Sequence, residues 1–317
     1  GITGLCGPVY HSAQWAFSWL PMIGGSSVVM QHKYDSAHLL ELIDRWDITN
    51  VHLVPTQLKR LLDLPDDVRS AFDGSSLESV LHGAAPCPPA VKQQMIDWWG
   101  PVVSEYSGST EGQVITTCSS EQWMSKGGSV GPPVGTMEIY VVGDDGERLG
   151  PNEDGTLYFR NVMGTDFEYH NAPEKTEAAH LEPGVFTTGD VGHLDDDGYL
   201  WLSSRKIDMV ISGGVNIYPA EIEGVLGGHA DVADAAVIGI PNEEFGEEVK
   251  AVVVLRPGVG TGTETTDRLL DHCREHLAGY KVPRSVDFVS ELPRTGTGKI
   301  KKNDLREPYW AEADRSI

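Results

Sequence analysis

Basic residues are scarce in this 317-residue chain: 24 Lys+Arg stand against 47 Asp+Glu, a formal charge of 24 − 47 = −23. Neutralising phosphates along a nucleic acid needs clustered cations, so the composition argues against a nucleic-acid groove. No stretch approaches the roughly 18–20 uninterrupted apolar residues of a membrane span, and the start lacks a basic segment followed by an apolar core and a cleavage site. No integral membrane contact is expected, and a soluble cytoplasmic protein is. Cysteine is sparse as well: Cys6, Cys87, Cys118 and Cys273 lie far apart with no CxxC. That pattern fits reduced thiols better than a disulfide framework or a zinc knuckle. Internal repeats and extended low-complexity tracts are also absent.

What remains is globular composition, 40% hydrophobic and 22% charged, at a length that suggests two or three domains on a prior of about 150 residues each. The text opens at Gly1 in mid-pattern, so a fragment of a longer protein is expected. From Gly24 to Tyr106, short β-branched runs alternate with helical periodicity: Ser26–Met30, Ala37–Ile43, Val51–Pro55, Gln57–Leu62, Leu77–Leu81, Pro88–Trp99 and Val102–Tyr106. Near-continuous apolar strands between amphipathic helices predict a partial doubly wound α/β layer, a parallel sheet with its ligand loops at the strands' carboxyl ends. Trp15, Phe17 and Trp19, at a spacing of two, read either as strand core or as the wall of a bulky apolar pocket.

Between Gly127 and Leu202 the rhythm changes to short strands with glycine turns, including Thr136–Val142 and Gly155–Arg160, which predicts a small barrel-like antiparallel subdomain. The acidic turn Asp195-Asp196-Asp197-Gly198 lacks the alternating ligand spacing and distal Glu of a calcium loop, so a solvated hairpin turn is expected there. From Lys206 onward, a helix at Pro219–Leu226, strands at Val232–Ile240 and Glu248–Leu255, a helix at Thr266–Leu277 and a Gly/Thr/Lys loop at Arg294–Lys299 predict an α+β domain. The expected boundaries are therefore 1–126, 127–205 and 206–317.

Four clusters offer chemistry. Ser107-Gly108-Ser109-Thr110-Glu111-Gly112 follows a strand and presents hydroxyls and one carboxylate, able to admit a phosphate while Glu111 holds a hard cation such as Mg²⁺. Alone, such a loop is more often an ordinary turn. Phe186-Thr187-Thr188-Gly189-Asp190 ends on a carboxylate that could accept bonds from two ribose hydroxyls or satisfy its own turn. Arg205 to Glu223 runs through a Gly-Gly turn at Ser212-Gly213-Gly214 into a helix opened by Pro219. Pro293 to Lys302 presents Lys299 on what reads as a flexible loop, a local cation in an acidic protein, without the spacing of a Walker A motif.

Taken in order, Ser-Gly-Ser-Thr-Glu, Phe-Thr-Thr-Gly-Asp, Arg-Lys-Ile-Asp with Ser-Gly-Gly-Val-Asn-Ile-Tyr-Pro-Ala-Glu-Ile-Glu, and Thr-Gly-Thr-Gly-Lys resemble the motifs of the adenylate-forming superfamily. That superfamily holds acyl-CoA synthetases, luciferases and peptide-synthetase adenylation domains. The likeness spans essentially the whole chain, and its wording is most similar to bacterial fatty-acid or steroid-side-chain CoA ligases. It implies an enzyme that joins a carboxylic acid, fatty or otherwise bulky and apolar, to ATP as acyl-AMP and then passes the acyl group to CoA. Lys299 would bridge carboxylate and α-phosphate, Thr110 would touch the α-phosphate and Glu111 would hold Mg²⁺. Gly83, Ala84 and Ala85 would form a strand against the adenine, with Ser107, Gly108 and Ser109 beside it. Asp190 and Arg205 would reach the ribose, His11 would sit by the acyl and thiol channel, and Ser212, Gly213 and Gly214 would line the pantetheine tunnel after the mobile last domain swings about a hinge next to Arg205.

Three positions depart from the pattern: Ser107 replaces the usual adenine-stacking Tyr, with Tyr106 one residue earlier. Ile207 replaces the hinge Asp or Lys, leaving Lys206 or Asp208 to serve. The Ser/Thr/Gly-rich phosphate loop is not in the sequence. A non-catalytic remnant binding acyl-AMP or CoA, and an adenylation domain loading a carrier protein, are the alternatives. A homodimer is compatible with the sequence without being signalled by it.

The charge imbalance has a measurable consequence. Like charges repel across the compact state, and salt shortens their reach from about 30 Å at 0.01 M to about 8 Å at 0.15 M. Raising NaCl over that range is expected to raise the thermal midpoint, by about 2–4 °C per kcal/mol of repulsion relieved. A midpoint that falls with salt in differential scanning calorimetry contradicts this.

Overall fold

Alternating β-branched runs and amphipathic stretches build the first sheet. A computed structural model describes residues 1–205, 207–296 and 298–311, with the side chains of Ser204 and Arg205 outside the description. The first layer comprises β1 (Ile2–Leu5), α1 (Ser12–Ile23), β2 (Ser27–Met30), α2 (Ser36–Trp46), β3 (Asn50–Leu53), α3 (Pro55–Leu62) and α4 (Asp66–Ala71). It continues through β4 (Ser79–His82), α5 (Pro89–Trp99), β5 (Val103–Ser109), β6 (Gln113–Cys118) and α6 (Ser120–Ser125). Strand order is β2-β1-β3-β4-β5-β6. The first five strands run parallel and β6 returns antiparallel to β5. Leu39, Ile43, Leu53, Leu58, Leu61, Val80 and Val103 are buried in one core. The helices form for local reasons: Asp35 caps α2 by accepting from the His38 N–H at 2.8 Å, and Pro55 and Pro89 each open a helix at a position that needs no N–H donor.

One expectation is corrected here. Trp15, Phe17 and Trp19 lie on α1, not in a strand: Trp15 and Trp19 stack at 6.2 Å one helical turn apart, while Phe17 stacks on His52 at 4.6 Å. A spacing of two therefore disguised a spacing of four. His11 caps the start of the same helix (φ −80°, ψ 132°). Beside α1, the edge strand β2 leaves a depression of about 600 Å³ whose lining includes Trp15, Trp19, Met22 and Met30.

The second layer holds β7 (Met137–Val142), β8 (Gly155–Asn161), α7 (Pro173–Ala178), β9 (His180–Glu182), β10 (Val185–Phe186), β11 (Asp190–Leu194) and β12 (Leu200–Arg205). They form one sheet in the order β12-β11-β8-β10-β9, with β7 paired to β8, around Phe159, Phe186 and Leu200. Its acidic turn is a hairpin turn tied from within: the Asp195 carboxylate accepts from the N–H groups of Asp197 and Tyr199 at 3.0 and 2.9 Å. Lys126 Nζ reaches Asp195 at 2.8 Å and Asp197 at 2.5 Å. Burial opposes the charged form of Asp195, yet the Lys126 ammonium and the N–H groups outweigh it and hold the carboxyl down at about 2. A lysine occupies the place a calcium ion would need.

The last part contains β13 (Val210–Ser212), β14 (Val215–Ile217), α8 (Pro219–Gly227), β15 (Val232–Asn242), β16 (Gly246–Leu255), α9 (Thr263–His276), β17 (Ser285–Phe288) and α10 (Lys302–Trp310). It is α+β: strands run β14-β13-β16-β15, with β17 parallel to β16, over a core of Ile222, Leu226, Val237, Val253 and Leu269. The chain divides into two compact units, Gly1–Thr188 with Gly192–Leu202, and Gly189–Val191 with the residues from Ser203 onward. All four cysteines are unpaired thiols, and burial pushes Cys6 up to about 12, which makes it a poor nucleophile. Among the described residues no helix is long and apolar enough to cross a membrane.

One buried ion pair ties α5 to β5. Lys92 Nζ lies 2.7 Å from Glu105 Oε2, with both side chains shielded from water, and burial raises the Glu105 carboxyl even against the attraction of Lys92. Lys92→Met leaves that carboxylate stranded and is expected to cost about 3–5 kcal/mol in urea unfolding, most of it recovered in Lys92→Met/Glu105→Leu. A single substitution that costs less than 1 kcal/mol would refute the assignment.

Candidate active site

The carboxyl ends of β1, β3, β4 and β5 point the same way, and the loops that leave them carry the residues singled out by sequence. After β4 the chain enters a bend at Gly83-Ala84-Ala85. Expected as a strand, this segment is not one, because Ala84 turns back at φ +70°, a left-handed conformation that breaks the extended path. Gly83 packs directly against β5: a Cβ there would sit 2.5 Å from the Tyr106 carbonyl oxygen and 2.6 Å from its ring.

Ser107, Gly108 and Ser109, expected in a loop, continue β5 instead, because they pair with Thr116, Val114 and Gln113 of the returning strand β6. The register shifts between Ser107 and Gly108. A Cβ at Gly108 would lie 2.0 Å from the Gln113 carbonyl oxygen, so only glycine fits. The hairpin turn is then Thr110-Glu111-Gly112, closed by the Gly112 N–H donating to Ser109 Oγ at 2.9 Å. Thr110 is exposed, and its hydroxyl lies 3.2 Å from that of Ser12, which brings the His11 segment beside it. The Glu111 carboxylate accepts from the Tyr169 hydroxyl at 3.0 Å. Burial first, and the Glu111 charge second, raise that hydroxyl above the ordinary tyrosine range. Hydroxyl and carboxylate oxygens on one turn are the donor set a hard cation such as Mg²⁺ takes, so Glu111 with Thr110 fits the ion chemically.

His11, Gly83 to Ala85 and Ser107 to Glu111 thus converge on one edge of the sheet. Beneath them runs a buried network that sequence reading missed. Gln14 Nε2–H donates to His52 Nδ1 at 2.8 Å, and the opposite ring nitrogen of His52 lies 3.0 Å from the Tyr106 hydroxyl. This arrangement describes a neutral imidazole, the tautomer being set by its partners. Burial, with help from the nearby His11, pushes His52 down to about 3, and burial pushes Tyr106 up to about 12. The Tyr106 hydroxyl is engaged in this network.

The other expected residues belong to the second unit or its border. Asp190 opens β11, after Gly189 at φ +79°. Arg205 ends β12, and its side chain lies outside the described residues, as does all of Lys206. Ile207 is exposed, and its carbonyl accepts from Arg306 Nη1 at 2.9 Å. Ser212, Gly213 and Gly214 make the turn between β13 and β14, with Gly213 at φ +59° and Gly214 at φ +80°. Lys299 sits half-buried, with its backbone bonded to Thr295. Thr295 N–H donates to Lys299 O at 2.8 Å, Lys299 N–H donates to Thr295 Oγ1 at 3.1 Å, and Arg294 Nη1 donates to Gly298 O at 2.5 Å. Thr297 lies outside the described residues.

The chain matches the family model of AMP-binding enzymes over residues 3–165, and that of the AMP-binding enzyme C-terminal domain over residues 221–299. It is 38% identical over 304 residues to 3-[(3aS,4S,7aS)-7a-methyl-1,5-dioxo-octahydro-1H-inden-4-yl]propanoyl:CoA ligase of Rhodococcus jostii (strain RHA1), covering 95% of this chain and 56% of that protein. It is 35% identical to indoleacetate-CoA ligase of Aromatoleum aromaticum, covering 95% of this chain and 58% of that one. The structure superposes with a TM-score of 0.81 on o-succinylbenzoate coenzyme A synthetase of Bacillus subtilis in complex with ATP and magnesium ion. That match is 32% identical and covers 96% of this chain and 61% of that one. The chain therefore belongs to the AMP-binding enzyme family, within the adenylate-forming superfamily. It spans less than two thirds of the length of these relatives.

The His52 network predicts an acid limit to stability. Unfolded histidine titrates near 6.5 and folded His52 at about 3, so between those values the unfolded state holds the extra proton. Stability from this group is full above about pH 6.5 and falls as the pH drops toward 3. His52→Leu is expected to shrink the difference in unfolding free energy between pH 7 and pH 4. An unchanged difference would count against the neutral assignment.

Proposed function

We propose that the chain acts in an acid-CoA ligase: a carboxylate attacks the α-phosphate of ATP, pyrophosphate leaves, and the thiol sulfur of CoA then displaces AMP from the acyl carbon. The observation that carries this reading is the Ser109 to Glu111 turn, joined by the His11 and Gly83 segments at the carboxyl edge of a parallel sheet. Both family models match in the order the reading requires, the second ending at Lys299. Relatives named as CoA ligases support CoA as the acceptor. The neighbour bound to ATP and magnesium supports those two ligands.

In this reading Glu111 holds Mg²⁺, which neutralises phosphate charge, and Thr110 donates to the α-phosphate. Asp190 accepts from the ribose hydroxyls and Arg205 reaches the same sugar. Gly83, Ala84 and Ala85 flank the base with Ser107, while Gly108 lets the backbone approach. Lys299 stabilises the charge that develops as two anions are driven together. The Ser212-Gly213-Gly214 turn, with no bulk at two positions, borders the pantetheine arm after the last domain turns, and His11 borders the acyl group. The substrate is assigned as an organic carboxylic acid; the sequence expectation of a fatty acid is not carried further, since the relatives above are named for ring-bearing acids. Reduced thiols and the apolar-span count favour the cytoplasm as its compartment.

Lys299→Ala is expected to lower acid-dependent exchange of pyrophosphate into ATP by about 10²-fold or more, the scale of removing one charge-stabilising donor, while thioester formation from supplied acyl-AMP persists. Exchange at the unmodified rate in this variant would remove the role given to Lys299. Binding of AMP or CoA with no exchange in any variant would favour the non-catalytic alternative.

A further inference from the structure

The last turn of α9 reads His272-Cys273-Arg274-Glu275-His276. On a helix, residues three and four apart share a face, so His272, Glu275 and His276 project together. In the structure one ligand atom from each lies within 4.8 Å of the others, and the two imidazole rings have centroids 4.4 Å apart.

Both rings are already oriented from behind. His272 Nε2 faces the Val225 carbonyl oxygen of α8 at 3.1 Å. His276 Nδ1 faces the His272 carbonyl oxygen at 2.8 Å. A carbonyl can only accept, so each of these nitrogens carries a proton, and in the neutral ring the other nitrogen has the lone pair a metal needs. A carbonyl bond that fixes the tautomer and aims the opposite nitrogen outward is the arrangement by which proteins orient histidine ligands. His229 packs edge-on against His272 at 5.1 Å. Its Nδ1 accepts from the Asp231 N–H at 3.1 Å, which leaves its proton on Nε2 and makes it a buttress, not a ligand. The neighbouring cation Arg268 is neutralised by Asp231 at 2.7 Å and Glu264 at 3.3 Å, and Arg274 by Asp271 at 2.5 Å.

We propose that His272, Glu275 and His276 form a surface site for a borderline divalent cation, Zn²⁺ or Ni²⁺, that clamps the last turn of α9. Two imidazoles and one carboxylate suit such ions and leave coordination positions for water. Mg²⁺, which prefers an oxygen shell, is served poorly by this set and well by Glu111. The clamp binds the folded helix and so stabilises the second unit by mass action.

Calorimetric titration of the intact chain with ZnCl₂, NiCl₂ and MgCl₂, without nucleotide, tests the site. Expected are one Zn²⁺ or Ni²⁺ site per chain, no comparable Mg²⁺ site, and at least tenfold weaker binding in His272→Ala and in His276→Ala. Exposed His276 can be replaced with the fold intact, as far-ultraviolet circular dichroism would verify, so that variant decides if His272→Ala fails to fold. Glu111→Gln is expected to leave the Zn²⁺ site unchanged. Absence of binding in the wild type, or wild-type affinity in His276→Ala, overturns the proposal. Neither result bears on the ligase reading, which this titration does not use.

Discussion

Backbone meets backbone at the mouth of the first sheet, and that constraint shapes everything above it. Gly83 abuts the Tyr106 carbonyl, and Gly108 abuts the Gln113 carbonyl at a distance no side chain could share. The first contact draws the bend after β4 onto β5. The second lets β6 fold back so tightly that the hairpin turn presents Thr110 and Glu111 at its tip. Below, the Lys92–Glu105 pair fixes α5 to the same strand. The turn is thus mounted on a rigid strand, with a hydroxyl and a carboxylate directed outward and the apolar core kept behind.

Much of this layer is legible in the chain because parallel α/β structure repeats locally. Val51 to Val54 and Gln57 to Leu62 declare a strand and a helix by their own periodicity, and Pro55 marks the boundary between them. The features that were missed are those that depend on distant residues. Ser107 to Ser109 reads as a loop until β6 arrives to pair with it. Gln14, His52 and Tyr106 lie 38 and 54 residues apart along the chain, and no spacing rule links them. Trp15, Phe17 and Trp19 misled for the opposite reason: the alternation is real, but the Trp15–Trp19 interval of four was the stronger signal, since it places both rings on one helical face.

Charge shows the same division between composition and place. An excess of acids sets the long-range field, yet the cations that matter are committed one by one. Lys126 closes the Asp195 turn, Lys92 neutralises Glu105, and Arg268 and Arg274 answer the acids around α9. Counting residues predicts the field and its response to salt. Only the structure tells which carboxylates are paired with a cation and which, like Glu111, accept from a neutral hydroxyl.

That difference bears on how an acidic protein could handle acidic ligands. Joining a carboxylate to a polyphosphate brings together groups that repel each other and the protein's own field. Local positive charge must therefore be supplied at the reacting atoms, and it must not be quenched beforehand by the many carboxylates nearby. The turn at Thr295 to Lys299 meets part of this requirement through its backbone. In that turn the Thr295 N–H donates to the Lys299 carbonyl and the Gly298 N–H to the Thr295 carbonyl, while Arg294 donates to the Gly298 carbonyl and pairs with the Asp234 carboxylate. On the proposed reading, backbone bonds that hold Lys299 at the base of its side chain, with reach left to its four methylenes, would position one cation for one step in a chain where acids outnumber bases by nearly two to one.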